Sequence, residues 1–295
     1  MKDKINISKM SLAFGMILIF IGINIFLYPK ISNYLAEKNQ SEVIREYTEA
    51  VSDLDEEEIE EELEKAQIYN ENLSGDPVHD PFVEGSGYAI PDNYSDVLNL
   101  ASDGVMAYID IPSISVYLPI YHGTDEETLT KGVGHIAQTS LPIGGSSSHC
   151  VLTGHTGLTT AELFTRIDEL VIGDVFYIHV LNQTLKYEVY EIEVILPDDI
   201  SSLTIEEGRD LITLVTCTPY GVNTHRLLVK AERTEYVEED IQETESIIES
   251  LGNSVNDNIY IIAIVAGIVI VIIAAFIFVR KKWKQERKWN LIYEK

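Results

Sequence analysis

Residues 210–233 read DLITLVTCTPYGVNTHRLLVKAER, and this stretch decides the fold. It contains two apolar runs, one ending at Cys217 and the other beginning beside Arg226. The letters between them, TPYGVN, include Pro, Gly and Asn, which favour a tight turn. Two apolar runs joined by a short turn predict a β-hairpin. Because a hairpin brings the chain back on itself, we expect Arg226 to lie close to Cys217.

Strand-like runs of this kind recur along the chain from Val105 onward. They are separated by Pro, Gly, Asn and Asp, and only residues 124–131 and 159–170 have a helical pattern. The earlier runs are VMAYIDI, ISVYLPI, CVLTG, DVFYIHV and LKYEVYEIEVI. Seven or eight short strands predict a closed or nearly closed β-barrel over residues 105–238, because closure leaves no exposed edge strand.

The residues before the barrel divide into a helical segment and an irregular connection. Residues 30–73 are the helical segment, in which apolar residues recur every three or four positions from Ser41 onward. Residues 74–104 are rich in Gly and Pro, and so long a loop is typical of a functional cover or a disordered link. After the barrel, residues 239–258 are predicted to form an acidic, polar stalk.

Two segments, residues 11–28 and 259–279, hold no charged side chain and are long enough to cross a bilayer. The first follows a basic start and lacks a small-residue cleavage site, so we expect an uncleaved anchor. The second is followed by the basic cluster RKKWK, which the positive-inside rule places in the cytoplasm. The sequence therefore predicts a cell-membrane protein with cytoplasmic tails at residues 1–10 and 280–295 and with residues 30–258 outside the cell.

The net charge of −27 is concentrated in the predicted extracellular segment, which carries 45 acidic and 11 basic side chains. So acidic a surface is repelled by phosphate polymers, which argues against nucleic-acid binding and against adsorption to anionic lipid. Basic partners are favoured instead. The alternative is that the acidic residues only keep a surface domain soluble.

The two cysteines, Cys150 and Cys217, would by default form one disulfide in an exported protein. Cys217 has a second interpretation, because it ends an apolar strand just before a turn. At such a position the strand fixes the side chain while the loop gives access to it, so Cys217 is a candidate nucleophile. The alternative is a buried, inert thiol.

A nucleophilic cysteine needs partners, and the sequence offers a cation and a base. Arg226 would bring a permanent positive charge that can donate to a substrate carbonyl or hold an oxyanion, whereas its alternative role is a surface ion pair. Among the seven histidines His155 is favoured, because it follows the strand CVLTG at a glycine-flanked loop. His225 is a rival, but strand alternation turns it to the face opposite Arg226.

Three short motifs, TLVTC ending at Cys217, GHTG around His155 and NTHR ending at Arg226, resemble the sortase family in sequence and order. Over residues 30–280 the chain looks closest to class C, the pilin-polymerising sortases. This resemblance implies a mainly β fold: an eight-stranded sortase-type barrel with short helices, an N-terminal helical segment and two transmembrane helices. It also implies that Cys217 is the nucleophile, His155 the general acid and base, and Arg226 the substrate and oxyanion partner.

The resemblance further implies a lid formed by Asp80, Pro81 and Phe82. In such a lid Asp80 contacts Arg226 while Phe82 covers Cys217, until a substrate displaces both. These three residues lie in the long irregular connection, and a lid would give that segment a function.

The family topology also bears on the cysteine pair and on the rim of the site. It sets strands 150–154 and 211–217 side by side, so that Cys150 lies about 16 Å from the reacting end and does not form a disulfide with Cys217. Thr156 stands where class C members often carry arginine, so we expect different substrate contacts there.

The activity implied by the resemblance is that of a cysteine transpeptidase without a cofactor. Its partners are pilin or surface proteins with a C-terminal LPXTG-like sorting signal, which is cleaved between Thr and Gly to give a thioester. A lysine amine of another pilin then accepts the acyl group. Two alternatives stay open: a sortase that anchors surface proteins to peptidoglycan, and a non-enzymatic scaffold tethered to the membrane.

Overall fold

The computed structural model describes residues 7–73, 93–199, 201–236 and 280, with side chains from residue 15 onward. The chain divides into two compact units, Met1–Asp240 and Ile241–Lys295. Every helix and strand discussed below belongs to the first unit. The predicted lid, the stalk and the second apolar span lie outside the described residues.

Eight strands form a closed barrel, as the sequence predicts. Their order around the barrel is β1-β2-β3-β4-β7-β8-β6-β5, in which the pairs β2–β3 and β4–β7 are parallel and the others antiparallel. The strands are β1 (Val105–Ile111), β2 (Val116–His122), β3 (Val133–His135), β4 (Ser148–Thr153), β5 (Val175–Val180), β6 (Gln183–Ile195), β7 (Asp210–Thr218) and β8 (His225–Thr234).

The two faces of β7 pack into different apolar clusters. Ile212 and Leu214 belong to the main core, which fills the barrel. Val215 points to the opposite face, because successive side chains alternate along a strand. There it joins a second buried group, which we call the outer cluster and which consists of Ile136, Val151, Leu203, Val215 and Leu228.

Three α-helices accompany the barrel: α1 (Ile7–Ser52), α2 (Glu56–Glu71) and α3 (Glu126–Lys131). Helix α1 is continuous through Pro29, so the predicted boundary between membrane anchor and extracellular helix is not a break in the helix. Within the described residues it is the one helix long and apolar enough to cross a membrane, and its apolar part is solvent-exposed. This fits an N-terminal membrane anchor.

The second half of α1 and all of α2 lie against the barrel. The Tyr47 hydroxyl donates to the Met106 carbonyl (3.1 Å) and accepts from the Leu181 N–H (2.8 Å). Nearer the apolar part of α1, the Asn33 side-chain oxygen accepts from the Glu162 N–H (2.8 Å). These contacts tie the anchor helix directly to the strands and to the loop that follows β4.

Helix α2 begins at a capping box, as its acidic start suggests. The Asp55 carboxylate accepts from the backbone N–H groups of Glu57 and Glu58, and the Glu58 side chain accepts from the Asp55 N–H. Farther along, the buried Tyr69 hydroxyl donates to the Ala137 carbonyl and so fastens the helix to the β3–β4 connection.

One predicted helix is wrong. Residues 124–131 do contain α3, but residues 159–170 form turns and only a short 3-10 helix, Ile167–Glu169. Leu163 adopts a positive φ of 39°, which an α-helix does not allow. The Phe164 N–H then donates to the His155 carbonyl (3.1 Å), so this segment closes a loop where the pattern predicted a helix.

Candidate active site

The β7–β8 hairpin brings Cys217 and Arg226 together. They are directly opposite each other in the antiparallel register, so their side chains leave the sheet on the same face. The turn between them is closed by the N–H groups of Val222 and Asn223, which both donate to the Pro219 carbonyl (3.0 Å each). The predicted return of Arg226 to Cys217 is therefore confirmed.

The thiol lies on the outside of the barrel. Alternation along β7 puts Cys217 on the face of Val215, which packs in the outer cluster, and not on the face of Leu214, which packs in the main core. Cys217 is partly exposed and unoxidised. A substrate can therefore reach the sulfur from the surface without entering the barrel.

The neighbouring strand β4 carries His155 to the same end of the sheet. β4 runs parallel to β7 with Thr153 opposite Val215, and the hydrogen bonds continue one residue further. The Gly154 N–H donates to the Val215 carbonyl (3.1 Å), and the Thr216 hydroxyl donates to the Gly154 carbonyl (2.7 Å). His155 follows at once, so it begins its loop level with Cys217.

Two glycines shape the loop around His155. A side chain at Gly154 would meet the Phe164 side chain at 2.8 Å, so only glycine fits between the strand and the loop. Gly157 has φ +76° and lies against the Tyr220 ring, which belongs to the β7–β8 turn. The loop after His155 is thus in contact with the turn that follows Cys217.

Arg226 is a buried and oriented cation. Its side chain donates to the carbonyls of Asn223 (3.3 Å) and His225 (3.1 Å), and the residue is only 6% exposed. A guanidinium keeps its charge even when it is buried. Such a group, fixed beside a thiol, can donate to an oxyanion that forms there.

A carboxylate that no sequence pattern singles out lies next to His155. Glu126 Oε2 is 3.7 Å from His155 Nε2; the Glu126 side chain is 82% exposed, whereas that of His155 is 19% exposed. Glu126 opens helix α3, where acidic residues are ordinary, so the stretch Asp125-Glu126-Glu127 gave no reason to single it out. Its proximity to His155 depends on the packing of α3 and β3 beside β4.

The other described histidines have structural surroundings or face elsewhere. Burial lowers the pKa of His135 to about 3, and this ring bonds to the Tyr94 hydroxyl (2.9 Å) and the Ser140 carbonyl (2.9 Å). Burial also lowers the pKa of His149, which bonds to the Thr204 carbonyl (2.8 Å). His225, the rival base, pairs with Thr218 and so faces away from Arg226.

The second cysteine lies in the interior of the sheet. Cys150 is 3% exposed and is paired with Ile212, five residues before Cys217 along β7. It forms no disulfide, as expected, and burial raises the pKa of its thiol well above the ordinary value. No group of three metal-binding side chains occurs within the described ranges.

Comparisons with known proteins point to one family. The sortase domain model matches residues 109–234. The structure of sortase C-1 from Actinomyces oris has 54% sequence identity and a TM-score of 0.58, with 60% of this chain and 99% of that chain covered. Sortase C from Streptococcus pneumoniae has 42% identity and a TM-score of 0.61, with 66% and 97% covered.

A curated relative is more distant. Sortase D from Bacillus subtilis is 32% identical over 113 residues, which make up 38% of this chain and 54% of that protein. The matched segment therefore spans about half of that relative, whereas almost the whole length of the two class C structures is matched.

Proposed function

Because this chain belongs to the sortase family of cysteine transpeptidases, and its structural neighbours are class C sortases, we propose that it polymerises pilins at the cell surface. The proposal gives Cys217 the role of nucleophile, His155 that of general acid and base, and Arg226 that of substrate and oxyanion partner. The observation that carries it is the pairing of Cys217 with Arg226 in the hairpin register, at the strand end where His155 begins its loop.

In the first half-reaction the Cys217 thiolate attacks the carbonyl carbon of the Thr-Gly bond in an LPXTG-like signal. Arg226 stabilises the negative charge that develops on the carbonyl oxygen, and its two bonds to backbone carbonyls support this role by fixing its direction. His155 gives a proton to the leaving glycine amine. The products are a thioester on Cys217 and the released C-terminal peptide.

In the second half-reaction a lysine amine of another pilin attacks the thioester carbonyl. A new amide bond forms, the carbon–sulfur bond breaks, and the proton that the amine nitrogen loses passes by way of His155 to the departing Cys217 sulfur. The reported structure of the Streptococcus pneumoniae sortase C concerns pilin substrate specificity, which supports a pilin as the partner of this chain too.

We assign the sorting signal to the outer face of the sheet. The outer cluster begins immediately beside the thiol, since Val215 and Leu228 are the next residues on this face after Cys217 and Arg226. These cluster residues are themselves buried, so they support the site from beneath, and the signal peptide would contact the partly exposed surface around Cys217.

The lid is part of the proposal, although it lies outside the described residues. Asp80 would form an ion pair with Arg226, and Phe82 would cover Cys217 while no substrate is present. Replacing either residue by alanine is expected to speed the reaction of Cys217 with a thiol reagent and with a signal peptide. Labelling rates equal to those of the unsubstituted chain would remove the lid from the mechanism.

Two apolar segments support a location in the cell membrane. Helix α1 fits a membrane anchor, and the second apolar segment, residues 259–279, would add a second span. Both termini would then be cytoplasmic and the barrel extracellular. Protease digestion of intact cells tests this arrangement: the barrel is expected to be cleaved and an epitope at either terminus to be protected.

The decisive experiment mixes the full-length chain, purified in detergent, with a pilin that carries a sorting signal. We expect a ladder of covalent multimers, together with an acyl-enzyme whose mass equals the chain plus the cleaved pilin. Cys217→Ala should abolish both. Multimers that still form with Cys217→Ala would overturn the proposal.

The peptidoglycan-anchoring alternative differs only in the acceptor. If a cell-wall peptide amine resolves the acyl-enzyme faster than a pilin lysine does, the chain is an anchoring sortase. The 40–54% identity to class C structures favours the pilin acceptor. The scaffold alternative does not agree with membership of a transpeptidase family.

A further inference from the structure

We propose that Glu126 is the residue that receives the acceptor amine, by binding the ammonium form of a lysine side chain beside His155. This inference rests on the proposed function, because it concerns the second half-reaction at the same site. It adds a binding group for the second substrate to the three residues assigned above.

The relative exposure of the two side chains supports this role. Glu126 Oε2 and His155 Nε2 are 3.7 Å apart, but the carboxylate is 82% exposed and the imidazole only 19%. The carboxylate therefore lies on the solvent side of the imidazole. A positively charged side chain that approaches from solvent meets Glu126 before it reaches His155.

The ion pairs of the same helix turn also support it. Glu127, the next residue, pairs with Lys131 (2.6 Å) within helix α3. Within the described part of the chain, by contrast, the ion pair recorded for Glu126 is with His155 and not with a lysine or an arginine. The charge of Glu126 is therefore available to a cation brought by another molecule.

The chemistry of the second half-reaction needs such a group. A lysine side chain arrives as an ammonium and must lose a proton before its nitrogen can attack. Bound to Glu126, the ammonium lies next to His155, whose neutral imidazole takes the proton. The free amine attacks the thioester carbonyl, the carbon–nitrogen bond forms and the carbon–sulfur bond breaks. The imidazolium protonates the departing Cys217 sulfur, and the neutral imidazole then takes the second proton, which the nitrogen loses as the amide forms.

Glu126 thus favours a lysine over water as the acceptor, because water carries no charge for the carboxylate to bind. The effect is moderate in size. An ion pair at so exposed a position changes a binding constant by about two- to fivefold, and salt weakens it.

The test uses the full-length chain in detergent, loaded with a signal peptide as the thioester. The acyl-enzyme is resolved either with a lysine derivative blocked at its α-amine, which is cationic, or with hydroxylamine, which is largely uncharged at neutral pH. Glu126→Gln is compared with Glu127→Gln, the matched control one residue away. We expect Glu126→Gln to raise the KM for the lysine derivative about two- to fivefold.

Three further results are expected if the inference is correct. In Glu126→Gln the KM for the lysine derivative changes by a larger factor than the rate of thioester formation or the rate of the reaction with hydroxylamine. Charge reversal in Glu126→Lys enlarges the effect on the lysine derivative, whereas Glu127→Lys does not reproduce it. Salt at about 1 M removes the difference between Glu126→Gln and the unsubstituted chain.

The inference is overturned if Glu126→Gln and Glu127→Gln have the same KM for the lysine derivative. It is overturned also if Glu126→Gln slows lysine and hydroxylamine equally, since the carboxylate would then act through His155 and not on the ammonium. Failure of the unsubstituted chain to form any thioester is a different result, because it refutes the proposed function itself.

Discussion

The two cysteines lie on neighbouring strands of one sheet and have opposite surroundings. Cys150 is in the middle of β4, buried on all sides, and burial raises the pKa of its thiol. Cys217 is near the end of β7, partly exposed, and directly opposite a buried guanidinium. The difference shows that position along the strand decides whether a thiol in this sheet is buried or can be reached from solvent.

The largest expected effect is the difference in activity between the variants Cys217→Ala and Cys150→Ala. Cys217→Ala removes the proposed nucleophile and should lower the rate of signal cleavage by at least about 10⁴-fold. Cys150→Ala should keep full activity and lose about 1 kcal/mol of unfolding free energy, because a small buried group is removed. Peptide cleavage and urea unfolding measure the two quantities.

A thiol reagent offers the matching control without substitution. In the folded chain it should modify Cys217 and leave Cys150 unmodified, and both should react after unfolding. Equal labelling of the two cysteines in the folded chain would contradict the comparison.

The next effect concerns the cation at the strand end. Arg226→Lys keeps a positive charge but loses the planar donor pair, so cleavage should slow by about 10²- to 10³-fold. Arg209→Lys is the control at the other end of the hairpin, where the guanidinium bonds to Glu206 (2.7 Å) and Glu232 (2.8 Å) on the surface. This variant should cleave at the normal rate and lose less than about 1 kcal/mol of stability.

Thermal unfolding of both variants distinguishes a loss of catalysis from a loss of folding. Arg226→Lys should melt as a folded protein and still react with a thiol reagent at Cys217. A folded Arg226→Lys variant with normal cleavage would show that the cation opposite Cys217 has no part in the reaction.

The smallest expected effect is a pH dependence of stability caused by Asp110, which is buried within a strand as Cys150 is. Asp110 of β1 is 2% exposed, and burial raises its pKa from an ordinary value of 3.8 to about 7. The folded chain therefore holds this proton more tightly than the unfolded chain. The carboxyl contributes stability that is fully present below about pH 4 and is lost as the pH rises to about 7.

Asp110→Asn removes this dependence. Relative to the unsubstituted chain, the variant should gain stability between pH 4 and pH 8, by at most about 4 kcal/mol. Denaturant unfolding at pH 4, 6 and 8 measures the difference, with Asp168→Asn, an exposed surface carboxyl, as the control. If the free energies of unfolding of Asp110→Asn and of the unsubstituted chain change with pH in the same way, burial does not raise the pKa of Asp110.

Local patterns were enough to predict the barrel and the hairpin. The apolar runs on either side of TPYGVN have strand character whatever else they touch, so the return of Arg226 to Cys217 followed from the turn alone. The position of His155 required the parallel pairing of β4 with β7. That pairing joins strands about 60 residues apart, and only the family resemblance predicts it.

The features that the sequence did not predict depend on contacts between distant residues. The pattern in residues 159–170 fits a helix, but the Phe164 N–H bonds to His155, and Leu163 takes a positive φ in that loop. Glu126 looked like an ordinary helix start, because its neighbour His155 is about 30 residues away in sequence. Neither contact leaves a periodic signal in the chain.

The hydrogen bond between Asn33 and the Glu162 N–H has a consequence for where the enzyme works. Asn33 is five residues beyond the apolar segment that ends at Tyr28, which corresponds to about 8 Å along a helix. If α1 is inserted in the membrane as proposed above, this hydrogen bond would hold the loop after β4 near the lipid headgroups. Substrates that are anchored in the same bilayer would then arrive by lateral diffusion in two dimensions. Their cleavage sites would already lie at about the same distance from the bilayer as this loop.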